Sequence, residues 1–380
     1  MAGGEVVLMK WPEDFVNKII CGDSLTELKK MESESMNCII TSAPYYGLRS
    51  YLSKGHPEKP KEIGLEKTFA EYLDKLFEIF MECKRILKPS GSLWINHGDS
   101  YGGVKEGKTD AKVSAYVKNS QEDLRKYLPQ YEKCLLGQPW RLAIKLVDEG
   151  GLILRQDIIW CKQVYLKKEN ITKGSAMPSS VKDRFNVTHE HLFHFVKNKK
   201  YYFDLNSVRL KIQTMENRPM GMDREKDYPG AKRNAFAFNY RIRDAKKKKD
   251  QCPQFKASEE EIKKCKSKGI KSRERDSILV ANRPPDYFGN PNGKNLPSCW
   301  LIGSEPSKIH HFAKFPEALV ELPIKTTCPP EGIVLDPFSG TGTVGVVCKK
   351  NKRNFIGIEL NEEYIKMAKQ RIVNTHGVLF

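Results

Sequence analysis

Short apolar runs and helical-period segments alternate along the first half of the chain. Asn17 to Cys21 (NKIIC) is a short apolar run closed by Gly22-Asp23, and a helix is predicted from about Ser24 to Met31 with Ser24 as its N-cap. Asn37 to Thr41 (NCIIT) predicts a second strand, ending at Ser42-Ala43-Pro44-Tyr45-Tyr46. From about Phe69 to Leu87 the residues Phe69, Leu73, Leu76, Phe77, Phe80, Ile86 and Leu87 keep helical spacing. Pro89-Ser90-Gly91 is expected to stop that helix before a strand at Ser92 to Asn96. A helix at Trp140 to Val147 and a strand at Leu152 to Cys161 follow, then a hairpin of His191 to Val196 with Lys200 to Phe203, turning at Asn198. Near the end, Gly332 to Asp336 and Asn354 to Leu360 read as strands, and Thr343 to Lys350 and Glu362 to Ile372 as helices, the last capped by Asn361. Strands alternating with helices predict a mainly parallel sheet.

The periodicity lapses from Arg209 to Arg283, a stretch with 22 basic and 11 acidic residues that includes Lys246-Lys247-Lys248-Lys249. It holds much of the chain's net charge of +18, which favours a polyanionic partner. The Lys run is read equally as a solvated insertion or as a DNA-facing arm. With 39% hydrophobic residues in 380, the chain supports a real core, which excludes a wholly disordered protein. No run of roughly 18 apolar residues predicts a transmembrane helix. The opening MAGGEVVLMKWPEDF lacks the layout of a secretory signal. The 10 cysteines are scattered without a CxxC, the pattern of free thiols in a reducing compartment rather than of a structural zinc site.

The clearest chemistry lies near the C-terminus. A strand ending in Asp336 feeds Pro337-Phe338-Ser339-Gly340-Thr341-Gly342-Thr343, then a helix, then a strand ending in Glu359. This is the layout of a nucleoside site on a Rossmann-like sheet, with glycines for close backbone approach and an acid for the ribose hydroxyls. DPFSGTGTVGVV with NFIGIELNEEYIKMAKQRI resembles the S-adenosylmethionine-binding region of DNA amino-methyltransferases. IITSAPYYGLRSY is similar to that family's catalytic S-P-P-Y element, and KIICGDSLTEL, SLWINHGDSY, DIIWCK, HEHLFHFVKNKKYYFDLNSVR and HFAKFPEALVELPI are similar to its flanking segments. The likeness covers roughly residues 16–210 and 295–375, with the catalytic element first and the cofactor loop last, the order of the β group. A serine at the first catalytic position leans towards cytosine N4.

The resemblance implies a Rossmann-like, circularly permuted α/β methyltransferase fold, a mixed seven-stranded sheet with helices on both faces. It implies a catalytic half at residues 1–204, a basic target-recognition insertion at 205–295 and a cofactor-binding half at 296–380. S-adenosyl-L-methionine is the implied cofactor. Asp23, Phe315, Pro316, Asp336, Phe338, Ser339, Gly340, Thr341, Gly342, Thr343, Glu359 and Asn361 are the residues expected around it. The implied partner is double-stranded DNA, with no membrane, no metal, and a monomeric or homodimeric chain. The compartment is the cytoplasm or nucleoid in a prokaryote and the nucleus in a eukaryote.

Ser42, Ala43, Pro44 and Tyr45 are the expected catalytic residues. The exocyclic amine of cytosine is a poor nucleophile, because its lone pair is delocalised into the ring. Ser42 and the carbonyl of Ala43 are placed to accept its two N–H groups and stabilise the positive charge that develops. Tyr45 offers a face for a base removed from the duplex. The family has proline at position 43; alanine keeps the carbonyl but loses the fixed φ, so a looser turn is expected. No Pro-Cys step is present, so the thiolate route of C5 methylation is not expected. Asn96 and Asp99 are read either as partners of the catalytic loop or as a structural turn. Asp23 is read equally as a cofactor ligand or a helix cap. His189, Glu190, His191 and His194 do not match HExxH. Two readings stay open beside cytosine N4: adenine N6 methylation, and a DNA-binding protein whose activity Ala43 has weakened.

Overall fold

The computed structural model describes residues 11–47, 50–102, 131, 133–176, 179, 181–210, 293–303 and 316–375. The chain divides into two compact units, Met1–Val208 with Pro297–Phe380, and Arg209–Leu296. In the second unit the two ends are tied together. Leu210 and Lys294 exchange backbone hydrogen bonds, and the Arg209 guanidinium donates to the Gly293 carbonyl at 3.0 Å and to Asn295 Oδ1 at 2.7 Å. The Lys246 to Lys249 run lies outside the described residues.

The first unit is built on one sheet. Its strands are β1 (Lys18–Cys21), β2 (Met36–Ser42), β3 (Leu87–His97), β4 (Ile153–Cys161), β7 (His189–Val196), β8 (Cys299–Leu301), β9 (Ile333–Asp336) and β10 (Asn354–Glu359). Their order is β1-β10-β9-β2-β3-β7-β4-β8. All neighbours are parallel except at β7, which runs antiparallel to both β3 and β4. Without the three-residue β8 at the edge, these are the seven strands of the expected mixed sheet. A separate ribbon pairs β5 (Gln163–Leu166) with β6 (Ile171–Gly174).

Alternating side chains of the central strands bury into two different apolar layers, the period-2 signature of a sheet covered on both faces. Ile39, Ile95 and Phe193 pack with α1 (Ser24–Lys29), α2 (Phe69–Ile86) and α3 (Gln138–Asp148). Ile40, Trp94 and Leu192 pack with α4 (Glu317–Thr327), α5 (Thr343–Lys350) and α6 (Glu362–Val373). α2 starts with a capping box in which Thr68 and Glu71 satisfy each other's backbone N–H.

Three local expectations change. α2 ends at Ile86 and β3 begins at Leu87, so Pro89-Ser90-Gly91 lies inside a strand rather than after a helix. α1 is capped by Asp23, whose carboxylate accepts from Thr26 N at 2.9 Å; Ser24 instead donates to the Pro337 carbonyl at 2.5 Å. Residues 200–203 form no strand: Tyr202 N donates to Ser90 O at 2.9 Å, and β7 pairs with β3 and β4 instead. Among the described residues no helix is long and apolar enough to cross a membrane.

Candidate active site

β1, β2, β9 and β10 are parallel neighbours, so their C-terminal ends open on one edge of the sheet, where α/β folds place ligands. A cavity there is lined by Ser42, Ala43, Pro44 and Tyr45 after β2, by Asp23 and Ser24 after β1, by 337–341 and Thr343 after β9, and by 358–361 at the end of β10. It therefore brings together the S-A-P-Y element and the glycine loop, 295 residues apart at Thr41 and Asp336. Thr41 Oγ1 joins the two directly, donating to Asp336 Oδ1 at 2.7 Å.

The glycine turn is shaped for close approach. Gly340 and Gly342 hold φ of 51° and 75°, in the left-handed region that favours glycine. A side chain at Gly342 would also meet Ala368 Cβ at 2.8 Å. Glu359 is anchored by backbone donors from both sides, Gly340 N to Oε2 at 2.7 Å and Asn361 N to Oε1 at 2.8 Å. Burial pushes its carboxyl up, and these N–H groups pull the other way. Asp336 lies behind the wall. Its Oδ1 also accepts from Phe338 N at 3.1 Å, whereas the buried Oδ2 has no hydrogen-bond partner among the described residues. Burial raises this carboxyl to about 7, despite the hydrogen bonds from Thr41 and Phe338.

The S-A-P-Y element is set in a directional hydrogen-bond network. Asn96, opposite Ser42 in the β2–β3 register, donates through Nδ2 to Glu190 Oε2 and to the His191 carbonyl, both at 3.2 Å. Both partners only accept, so that end of the amide is the NH2 group. Asn96 Oδ1 then faces Ser42 Oγ at 3.1 Å and can only accept, so Ser42 donates. The Tyr45 hydroxyl gives its hydrogen to Glu190 Oε2 at 2.7 Å. The hydrogen of Ser42 is thus committed to Asn96, and its lone pairs are left for an incoming N–H. Burial and the adjacent Glu190 raise the Tyr45 phenol well above its ordinary range, so it stays neutral. Glu190 is itself paired with Lys162 Nζ.

The turn after Ser42 is pinned. Ala43 N donates to Asn96 O at 3.2 Å, Tyr72 OH to Pro44 O at 2.7 Å, and Tyr46 N to Gln138 Oε1 at 3.1 Å. His97 Nε2 lies 3.1 Å from the Tyr72 hydroxyl. That hydroxyl has spent its one hydrogen on Pro44, so His97 carries its proton on Nε2. Burial holds the ring neutral, its pKa lowered to about 3.

Twelve of the expected residues line the cavity: Ser42, Ala43, Pro44, Tyr45, Asp23, Phe338, Ser339, Gly340, Thr341, Thr343, Glu359 and Asn361. Asp23 both lines it and caps α1. Asp336 and Gly342 stand behind it, and Pro316 is the N-cap of α4, outside the lining. Phe315 lies outside the described residues. Asp99 accepts from the backbone N–H groups of Gly137 and Gln138 and fixes the start of α3.

Sequence reasoning missed one wall. Glu62 accepts from the N–H groups of Tyr51 and Leu52, folding the loop so that Tyr51, Leu52 and Ile63 reach the cavity. Asn361 Nδ2 ties the loop down by donating to Tyr51 O at 2.8 Å. The role of Glu190 was hidden by the histidines beside it. β7 turns Glu190 away from them, and His191 pairs with Asp157 at 3.0 Å. No group of three metal-ligating side chains occurs among the described residues.

Known proteins resemble this chain. A family model described as DNA methylase, of the N6/N4 methyltransferase type, matches residues 36–370. The type II methyltransferase M.Cfr9I of Citrobacter freundii is 33% identical over 92% of this chain and 86% of its own. M.SmaI of Serratia marcescens is 32% identical over 94% and 90%. In the solved structures, the PvuII DNA methyltransferase, described as cytosine-N4-specific, superposes with a TM-score of 0.52 at 16% identity over 95% of this chain and 90% of that one, a likeness of fold.

Proposed function

The chain belongs to the N6/N4 DNA methylase family, and from that membership we propose that it transfers a methyl group to the N4 amine of a cytosine turned out of duplex DNA. S-adenosylmethionine is the cofactor of this family, and the residues present fit it. Glu359 offers a ribose diol two carboxylate oxygens, oriented by backbone N–H groups. Phe338 and Ile358 give the cavity apolar wall for a base. Bound there, the cofactor supplies a methyl on a sulfonium, which an aligned amine takes in one displacement.

The chain's own residues make the amine competent. Ser42 Oγ accepts one N–H and the Ala43 carbonyl the other, favouring a pyramidal nitrogen and stabilising its growing positive charge. Tyr45 presents a ring held at its hydroxyl by Glu190, against which the base stacks. Turning the base out of the duplex costs on the order of a few kcal/mol, which such stacking offsets. The observation that carries this reading is the fixed polarity of the Ser42 hydroxyl: Asn96 takes its hydrogen and leaves it an acceptor beside the Glu359 cavity. The choice of cytosine rests on serine in the S-A-P-Y element. The transfer is proposed to fall at a specific DNA site.

The test is nucleoside mass spectrometry on genomic DNA from a methylation-deficient host, incubated with the protein and S-adenosylmethionine. N4-methylcytosine is expected. N6-methyladenine would overturn the base assignment, and no methylated base from a cofactor-binding preparation would overturn the transferase reading.

A further inference from the structure

The β5–β6 ribbon has no place in the reaction described above. It is a two-stranded projection separate from the main sheet, with Lys167, Lys168 and Lys173 exposed, Tyr165 61% exposed and Ile171 49% exposed. Glu169 is its one acidic residue, and none of the three lysines is ion-paired among the described residues. The tip is ordered all the same: Tyr165 OH donates to Asn170 Oδ1 at 2.9 Å, and Asn170 N to Lys167 O at 3.3 Å. The root is tight. Ser175 N donates to Lys162 O at 3.0 Å and Lys162 N to Thr188 O at 2.7 Å, and a Cβ on Gly174 would lie 2.2 Å from the Lys162 carbonyl. Lys162 Nζ then reaches Glu190, which holds Tyr45 in the cavity wall. The ribbon therefore springs from a point joined to Tyr45 through two side chains, Lys162 and Glu190.

We propose that the β5–β6 ribbon is a second duplex-DNA contact, outside the 205–295 segment, in which Lys167, Lys168 and Lys173 grip phosphates beside the flipped base. The inference rests on the reading of duplex DNA as substrate. Three facts favour this partner. The lysines are an unbalanced positive set on an element that needs none of them for its fold. Four-residue strands project about 13 Å at 3.3 Å per residue, and the major groove, about 12 Å wide, admits a two-stranded ribbon. The exposed Tyr165 ring gives the same surface a sugar- or base-facing apolar patch.

The test uses the full chain with Lys167, Lys168 and Lys173 replaced together by Ala. Binding to a mixed-sequence 30-bp duplex is followed by fluorescence anisotropy from about 50 to 300 mM salt. Each phosphate contact contributes roughly 0.9 to the slope of log K against log salt, so the slope should fall by between 2 and 3. At about 0.15 M salt the same slope corresponds to on the order of fivefold in affinity per lysine. S-adenosylmethionine affinity, measured by calorimetry, should be unchanged and reports that the variant is folded. If wild type binds and methylates DNA while the variant keeps both slope and affinity, the ribbon is not a DNA contact. If wild type neither binds nor methylates DNA, the functional reading falls, and this inference with it.

Discussion

Asp336 is the most informative single residue to perturb, because its burial ties the stability of the fold to pH. Its carboxyl is buried, its Oδ2 is without a partner, and its pKa stands at about 7 against an ordinary 3.8. The folded state thus holds the proton more tightly than the unfolded chain does. The stability this contributes is fully present below pH 3.8 and is lost as pH rises through 7. Linkage with these two values gives a loss of about 2.5 kcal/mol between pH 5 and pH 8. Asp336→Asn removes that loss. Its Oδ1 can still accept from Thr41 and Phe338, while its NH2 group meets no acceptor, at a cost of about 1–3 kcal/mol. That cost does not depend on pH, so it cancels when the two proteins are compared across pH. At roughly 2.1 cal/mol/K per residue, 2.5 kcal/mol corresponds to about 3 °C in Tm for a chain of this length. The assay is thermal unfolding of both proteins without cofactor at pH 5, 6.5 and 8. The difference in Tm, variant minus wild type, should climb by about 3 °C towards pH 8. A difference that stays constant with pH would refute a buried, proton-binding Asp336.

Other outcomes follow from the same geometry. Ser42→Ala should cut single-turnover methyl transfer by at least about a hundredfold, as losing one transition-state hydrogen bond does, with cofactor affinity unchanged by calorimetry. Glu359→Gln puts an amide NH2 against either the Gly340 or the Asn361 N–H, so cofactor affinity should fall by about ten- to a hundredfold in the same calorimeter. Glu190→Gln cannot accept from Tyr45 and Asn96 on one side and pair with Lys162 on the other. Its kcat should fall by roughly ten- to a hundredfold with the cofactor Kd unmoved, a split that general destabilisation would not give.

The cofactor half was legible because its chemistry is contiguous. Asp336, the paired glycines and Glu359 sit in one strand–turn–helix–strand unit, where spacing alone fixes geometry. The Ser42–Tyr45 turn was legible through its likeness to the S-P-P-Y element. Contacts that depend on remote partners left no such trace. Glu62 is one of three acids, with Glu58 and Glu66, in a lysine- and proline-rich loop, and its value lies in two backbone N–H groups that only the folded loop presents. Glu190 shares a strand with three histidines, and only the pairing of β7 between β3 and β4 shows which face each residue takes. Local rules erred where tertiary pairing outweighed them. Pro89-Ser90-Gly91 reads as a stop signal, yet β3 runs through it at the sheet's end, where register shifts between Met36 and Cys38. Ser24 reads as a cap, yet Asp23 takes that role and frees Ser24 to bind Pro337.

Ala43 shows how the chain can hold a turn without the residue the family uses for it. Proline at this position would fix φ near −65° and would carry no N–H. Here that N–H donates to Asn96 O at 3.2 Å, extending the β2–β3 ladder one residue beyond the Ser42–Asn96 pair. Asn96 therefore grips the turn twice, by its carbonyl at Ala43 and by its amide oxygen at Ser42. Tyr72 and Gln138 fix the next residues from two other elements. A compatible proline stabilises by about 0.4–1 kcal/mol through the unfolded chain. One net hydrogen bond contributes about 0.5–1.5 kcal/mol, and the Ala43 N–H bond is the one a proline would forgo. By magnitude, that bond is comparable with the contribution of the missing ring. The Ala43 carbonyl is aimed by its neighbours rather than by its own φ, which makes Asn96 the residue on which the S-A-P-Y form of this site depends.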